Sequence, residues 1–247
     1  MPCSHYVMEL KDSLAARNRW KVIGVGAVCL GAVLWLALTF VARTPADSSP
    51  EAPEVLDVEA TRAKAEVGDA AAQTRLGRAY ANGQTLKQSY AEAAKWYRLA
   101  ADHGHAPAQT ALGELYEAGQ GVPRDEAQAA QWYRRAADQG DTAGQYCLAV
   151  LYVVGKGVPR DIAEAVKWYR RAADQGNALA QFSLGTRYRD GDGVPRDPVE
   201  AHKWLSLAAA HGLPDAVSAR DELKRTMTRE QIAESQRRVD AFAKANR

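Results

Sequence analysis

The sequence has few cysteines, the residues that form disulfides and bind metals in small proteins. Its 247 residues include three cysteines, Cys3, Cys29 and Cys147, which lie far apart and share no metal-ligand spacing. A disulfide-stapled domain needs closely spaced cysteine pairs, so this class of protein is excluded. Stability must come from packing instead.

An excess of either charge is also missing. The 32 lysines and arginines nearly balance the 30 aspartates and glutamates, which leaves a net charge of +2. The total charge therefore gives no indication of a nucleic-acid partner, and we expect none.

Catalytic motifs are missing as well. No serine is followed three positions later by lysine, and neither a zinc-protease helix motif nor a phosphate-binding loop occurs. His103 and His105 are close in sequence, but we interpret them as polar turn residues. Arg134–Arg135 and Arg170–Arg171 are expected on a solvated face. We predict a protein that is not an enzyme and binds no cofactor or metal.

Residues 22–42 form a run of 21 residues without a charge. A helix of that length reaches about 31 Å, close to the ~30 Å hydrocarbon core of a bilayer. Basic residues precede the run, and after Arg43 the next basic residue is Arg62. This asymmetry predicts one transmembrane helix in the inner membrane, with residues 1–21 in the cytoplasm and the rest periplasmic.

A cleaved signal peptide is the alternative to this anchor. Its apolar region is usually about 7–15 residues long, whereas this run is longer and Phe40 disrupts the obvious cleavage site. An uncleaved anchor is therefore favoured, and Met8 is an alternative start. Residues 43–59 are rich in proline and acidic residues and predict an extended spacer.

From residue 60 to residue 247 the chain is dominated by a repeat. Tryptophans recur every 36 residues, and a glycine and an alanine pair keep the same step: Trp96, Trp132, Trp168, Trp204; Gly104, Gly140, Gly176, Gly212; Ala100–Ala101 and its equivalents. Such a period predicts a solenoid. We place the repeats at about 68–103, 104–139, 140–175 and 176–211, and C-terminal capping helices at 213–247.

Each repeat has the pattern of two helices. In the first, Ala72, Leu76 and Tyr80 share one face, and a glycine or alanine at position 77 and its equivalents permits close packing. A turn with the sequence GVPRD follows in repeats two to four. The second helix is predicted to open with a capping box, at Ser89, Asp125, Asp161 and Asp197. The recurrent Gln73 and its equivalents are interpreted as structural.

The repeated pattern AxxxLGxxYxxGxGVxxDxxxAxxWxxxAAxxG resembles the Sel-1-like repeat, a relative of the tetratricopeptide repeat. The resemblance implies an all-α, right-handed α/α superhelical solenoid with a groove. It also implies an adaptor or scaffold for protein complexes, commonly at the bacterial envelope. Repeat one departs from the pattern, since Thr85 stands where the other repeats have the second turn glycine.

The candidate binding surface consists of first-helix positions that point away from the packed face. In repeat three they are apolar, and two polar residues occupy a matching position in repeats one and two. We expect a protein or peptide partner at Arg78, Glu114, Tyr146, Val150, Val154 and Phe182. The alternative is that the C-terminal helix covers the apolar part. A second functional hypothesis is the binding of a cell-wall glycan or peptide fragment.

Overall fold

The computed structural model describes residues 57–246, and these form eleven α-helices without a strand. The predicted anchor and most of the predicted spacer lie outside this range. The helices are α1 (Val58–Glu66), α2 (Ala70–Asn82), α3 (Tyr90–Asp102), α4 (Ala106–Ala118), α5 (Glu126–Asp138), α6 (Thr142–Val154), α7 (Ile162–Asp174), α8 (Ala178–Asp190), α9 (Pro198–Ala210), α10 (Pro214–Lys224) and α11 (Arg229–Ala245).

Helices α2 to α9 form four pairs, one in each repeat. The two helices of a pair pack against each other, and the second helix of a pair packs on the first helix of the next. The first helices of repeats two and three, α4 and α6, also contact each other. The predicted all-α solenoid of four helix pairs is therefore confirmed.

Side-chain caps begin the second helices as the sequence predicts. Ser89 and Asp125 each accept a hydrogen bond from the backbone N–H three residues later, and Asp161 and Asp197 do the same. This satisfies one of the unpaired donors of the first turn.

The reciprocal half of the predicted capping box is wrong for these helices. Among the described helices it forms at Thr228 and Gln231, at the start of α11. In α7 and α9 the glutamate at the third helical position has another partner. Glu164 and Glu200 accept hydrogen bonds of 3.0 Å from the indole N–H groups of Trp168 and Trp204. The buried indole donor competes successfully for the carboxylate because it has no access to water.

The second glycine of each GxGV turn lies against the preceding repeat. A Cβ on Gly121 would lie 2.2 Å from the carbonyl oxygen of Tyr90, the first residue of α3. Repeat one has Thr85 at this position. In repeat one the position equivalent to Tyr90 lies outside the described residues. The close contact that requires glycine is therefore a feature of repeats two to four.

The recurrent glutamines tie successive repeats together. Each donates a side-chain hydrogen bond to the carbonyl of an alanine eight residues earlier, on the preceding second helix: Gln73 to Ala65, Gln109 to Ala101, Gln145 to Ala137, Gln181 to Ala173. All four side chains are buried. The structural interpretation of these glutamines is confirmed.

Helix α11 packs on α9 and covers the end of the array. The ring of Phe242 meets Trp204 edge-on with centroids 5.5 Å apart, and Arg238 pairs with Glu200 at 2.7 Å. The C-terminal helices therefore cap the last repeat, as a solenoid requires. In the described range, every helix is too short or too polar to cross a bilayer.

Candidate functional site

The arginines of the second helices are packed against aromatic rings. Arg98, Arg134 and Arg170 each donate a hydrogen bond to a tyrosine hydroxyl of the following repeat, namely to Tyr116, Tyr152 and Tyr188. Each guanidinium also lies 5.0–5.5 Å from the centroid of the next tryptophan ring. The expected solvated face is wrong for Arg134 and Arg170, because cation–π contact and a hydroxyl partner anchor them between repeats.

The apolar residues predicted for the binding surface are mostly covered. Tyr146 and Val150 are 6% and 3% exposed, and Val154 is half-buried. The Tyr146 ring packs on Tyr169 of α7, with centroids 5.8 Å apart. The expectation of an exposed apolar cluster is wrong here, since α6 is contacted by α4, α5 and α7 and has little free surface.

Phe182 is half-buried in a different cluster. It packs against a core formed by α9 and α10, which includes Leu205 and Leu223. Helices α9 and α10 thus pack against Phe182, whereas α7 packs against Tyr146. A partner-binding role for these residues stays a prediction.

Arg78 and Glu114 line a cavity of about 630 Å³ between the first helices of repeats one and two. Its walls come from α2 and α4, the turn after α2, the start of α3 and the residues around Asp141. The structure brings these two predicted residues together in one cavity. It does not place Tyr146, Val150, Val154 or Phe182 there.

Fixed polar groups support one wall of the cavity. Thr110 donates a 2.8 Å hydrogen bond to Asp141, which also accepts from the backbone N–H of Gly144. The hydroxyl of Thr74 lies 2.8 Å from Nδ1 of His105. Asp141 is thus occupied in joining α4 to the start of α6, and its geometry is set by the fold.

The two charged residues of the cavity differ in their surroundings. Arg78 is exposed and Glu114 is half-buried, and burial raises the pKa of Glu114 above its usual value. Nearby Glu117 and Asp141 act in the same direction, whereas Arg78 opposes them. Within residues 57–246 neither Arg78 nor Glu114 forms a salt bridge or a side-chain hydrogen bond.

The buried phenol of Tyr97 lines the same cavity. Burial raises the pKa of Tyr97 to about 12, and the charges of Arg78 and Glu114 act on it in opposite directions. The hydroxyl therefore stays protonated at neutral pH and can donate or accept a hydrogen bond.

Sequence reasoning missed the amide side chains at the rim. Gln84, Gln88 and Gln120 line the cavity from the turns that follow α2 and α4. Gln88 donates to the carbonyl of Ala81 at 2.8 Å and to the hydroxyl of Tyr90 at 3.1 Å. The signal was weak because these turn positions vary between repeats, unlike the packed positions that define the pattern.

The described residues give little support for metal binding or for stacking of tryptophan on a sugar. From residue 57 to residue 246 no three His, Cys, Asp or Glu side chains are arranged to hold a metal ion. Trp132, Trp168 and Trp204 are buried, so these rings offer no face for stacking on a sugar.

The comparisons with known proteins agree with the repeat geometry. The family model for the Sel1 repeat matches residues 70–105, 106–141, 142–177 and 178–213. A Sel1 repeat protein from Oxalobacter formigenes is 32% identical, with a TM-score of 0.64 over 76% of this chain and 78% of that one. No curated protein sequence matches the chain.

A second solved structure is a protective antigen of uropathogenic Escherichia coli with the same fold. It is 44% identical to this chain, with a TM-score of 0.63 over 65% of this chain. The match spans 34% of the antigen, so this chain corresponds to about a third of that protein's length.

Proposed function

The chain belongs to the Sel1 repeat family, and on that premise we propose that it is a membrane-anchored scaffold that binds a protein partner between its first helices. Sel1 repeat proteins are generally protein-interaction scaffolds and typically non-catalytic. The proposal adds the place of binding and the place in the cell. The partner is a protein or peptide, held by the repeats rather than transformed by them.

The cavity that contains Arg78 and Glu114 carries this proposal. It presents two opposite charges without salt-bridge partners in the described residues, together with neutral donors and acceptors at its rim. Isolated charged groups are common on protein surfaces. Here a concave site brings two charged groups together with amide side chains and a phenol hydroxyl, which are the groups needed to bind a polypeptide segment.

The anchor is proposed from the uncharged run at residues 22–42 and the charge asymmetry around it. It would hold the repeat domain on the periplasmic side of the inner membrane, beyond the acidic spacer at residues 43–59. One similar protein is a protective antigen, which is in line with repeat domains of this family acting outside the cytoplasm.

Site-specific photo-crosslinking in cells tests the binding site. A photoreactive amino acid replaces Asn82, an exposed residue that lines the cavity, and a matched variant carries it at Lys95, an exposed position on the second helix α3. A discrete protein adduct is expected from position 82 and not from position 95. Adducts of equal yield at both positions, or none at 82 in a folded and membrane-inserted chain, would contradict the proposal.

Protease treatment of spheroplasts tests the anchor. A chain oriented as proposed loses its repeat domain to protease added from outside, while residues 1–21 stay protected. Extraction at alkaline pH provides the second readout, since a transmembrane chain stays with the membrane pellet. Release into the supernatant would show that residues 22–42 do not hold the mature protein in the bilayer.

A further inference from the structure

The charge of the cavity wall changes sign from α2 to α4. Arg78 and Glu114 occupy the same position in consecutive repeats, 36 residues apart, so one wall is cationic and the next is anionic. The equivalent residues in repeats three and four are Val150 and Thr186, which are uncharged. The reversal of charge is thus local to this cavity.

Within the cavity, Glu114 is the charged group that its surroundings stabilise least. Its carboxyl is half-buried, and within residues 57–246 it has no hydrogen-bond donor. Glu117 and Asp141 add negative potential, and burial together with these neighbours raises the pKa of Glu114. A cation placed beside Glu114 would relieve this potential, because an opposite charge at short range stabilises the ionised carboxylate.

Asp141 is less available to such a cation than Glu114 is. Its Oδ2 accepts from Thr110 and from the N–H of Gly144, at 2.8 and 2.7 Å. These bonds hold the carboxylate at the N-terminus of α6, where the helix dipole already favours a negative charge. Glu114 is therefore the acceptor that remains for an incoming donor.

Arg78 supplies the positive charge of the proposed binding site. Its side chain is exposed and has no salt-bridge partner among the described residues. A guanidinium presents several N–H groups in a plane that matches a carboxylate. An acidic side chain of a ligand would meet this need without displacing any bond within the repeats.

From these observations we propose that the cavity recognises a polypeptide segment with two opposite charges, a lysine or arginine side chain against Glu114 and an aspartate or glutamate side chain against Arg78. This inference rests on the proposed function, since it specifies the partner's chemistry at the same site. The rim amides Gln84 and Gln120 are placed to bind the backbone of such a segment.

Arg78 and Glu114 lie on α2 and α4, two helices that line one cavity of about 630 Å³. An extended chain advances about 3.3 Å per residue, so one short segment of the partner is long enough to meet both charges. The order of the basic and acidic residues along the segment is fixed by the order of Arg78 and Glu114.

Selection from a random-peptide display library tests the charge pair. The full chain is reconstituted in lipid nanodiscs in four forms: wild type, Glu114→Gln, the exchanged pair Arg78→Glu with Glu114→Arg, and Lys95→Glu as control. Wild type and control should enrich peptides with one basic and one acidic residue within one short segment and in one order. Glu114→Gln, which keeps the shape of the side chain, should lower the enrichment of the basic residue about tenfold.

The variant with the exchanged pair gives the decisive result for the charge-pair proposal. It should enrich the same two residue types in the reversed order along the peptide. No enrichment of a charge pair, or an unchanged order in the exchanged variant, overturns the inference. If position 82 still crosslinks to a protein in cells while the library shows no charge pair, the scaffold function stands and this specificity is wrong.

Discussion

Gly113 lies directly against the ring of Tyr133, where a Cβ would come within 2.7 Å of a ring carbon. This contact lets α4 and α5 pack closely and brings the Tyr133 hydroxyl to Glu117, to which it donates a 2.7 Å hydrogen bond. Both partners are buried. The same close approach occurs between Gly77 and Tyr97 in repeat one.

Gly113→Ala is therefore expected to destabilise the repeat domain. A helical alanine gains about 1 kcal/mol over glycine in propensity, while overpacking a core costs about 1–3 kcal/mol. Displacement of Tyr133 from Glu117 adds to the cost, so unfolding by urea should show a net loss of about 1–2 kcal/mol. The unfolding midpoint of the full chain is the measurement.

Ala149 provides the matched control, because repeat three naturally has alanine at the equivalent position. Its core is built around that methyl group, so Ala149→Gly should also destabilise, by about 1 kcal/mol. A stabilised Gly113→Ala protein would show that the ring moves aside freely.

His202 makes the C-terminal cap sensitive to acid. It is buried, its Nδ1 lies 2.8 Å from the hydroxyl of Ser235 on α11, and burial lowers the pKa of His202. Of the charged groups on α10, Lys224 and Arg220 lower this pKa further and Asp221 raises it. The neutral imidazole is therefore the form that the folded cap accepts.

The sign of the pH dependence follows from this depressed pKa. The unfolded chain binds a proton at His202 more readily, with an ordinary pKa of 6.5. The stability from neutral His202 is present above pH 6.5 and is lost as the pH falls through the lower folded value. Between pH 7.5 and 5.5 we expect the melting temperature to fall and amide exchange in α11 to increase.

His202→Val should remove this component of the pH dependence, since Val166 occupies the equivalent position in repeat three. His211→Gln is the control, because His211 is exposed and Gln175 is its equivalent. An identical pH profile for His202→Val and wild type would assign the effect to other groups.

Arg134 is expected to stabilise the junction between repeats two and three. Arg134→Lys keeps the charge but loses the planar group that contacts both Tyr152 and Trp168. We expect a loss of about 1–2 kcal/mol in the free energy of unfolding. Lys167→Ala removes an exposed ion pair and should lower the free energy of unfolding by clearly less than Arg134→Lys does. Equal losses would mean that the ring contacts contribute nothing beyond surface charge.

The helix pairs and their contacts were largely predictable from the sequence, because each packed position recurs four times. Gln73 and its equivalents show this well, since recurrence alone indicated a structural role. The hydrogen bonds of Glu164 and Glu200 with indole N–H groups, in place of the capping box, were not predictable, since each indole lies one turn away. Tyr146 was misassigned as exposed because the pattern of one repeat does not show how neighbouring repeats cover it.

The candidate site could be predicted in part. Arg78 and Glu114 were found by subtracting the packed positions from the first helix, and the structure places both in one cavity. The rim amides could not be found this way. Gln84 and Gln120 occupy a turn position that holds Lys156 and Asp192 in repeats three and four, and the three-dimensional arrangement brings both glutamines to the same opening.

The affinity of the partner captured at position 82 tests the central claim most directly. That protein is purified and titrated against the full chain as wild type, Glu114→Arg and Lys95→Glu, with circular dichroism as the check on folding. Binding between the first helices predicts that Glu114→Arg weakens affinity by at least about tenfold, the equivalent of one charged contact, while Lys95→Glu leaves it within about twofold. Unchanged affinity of the folded Glu114→Arg chain, or an equal loss in both variants, would place the partner elsewhere on the protein.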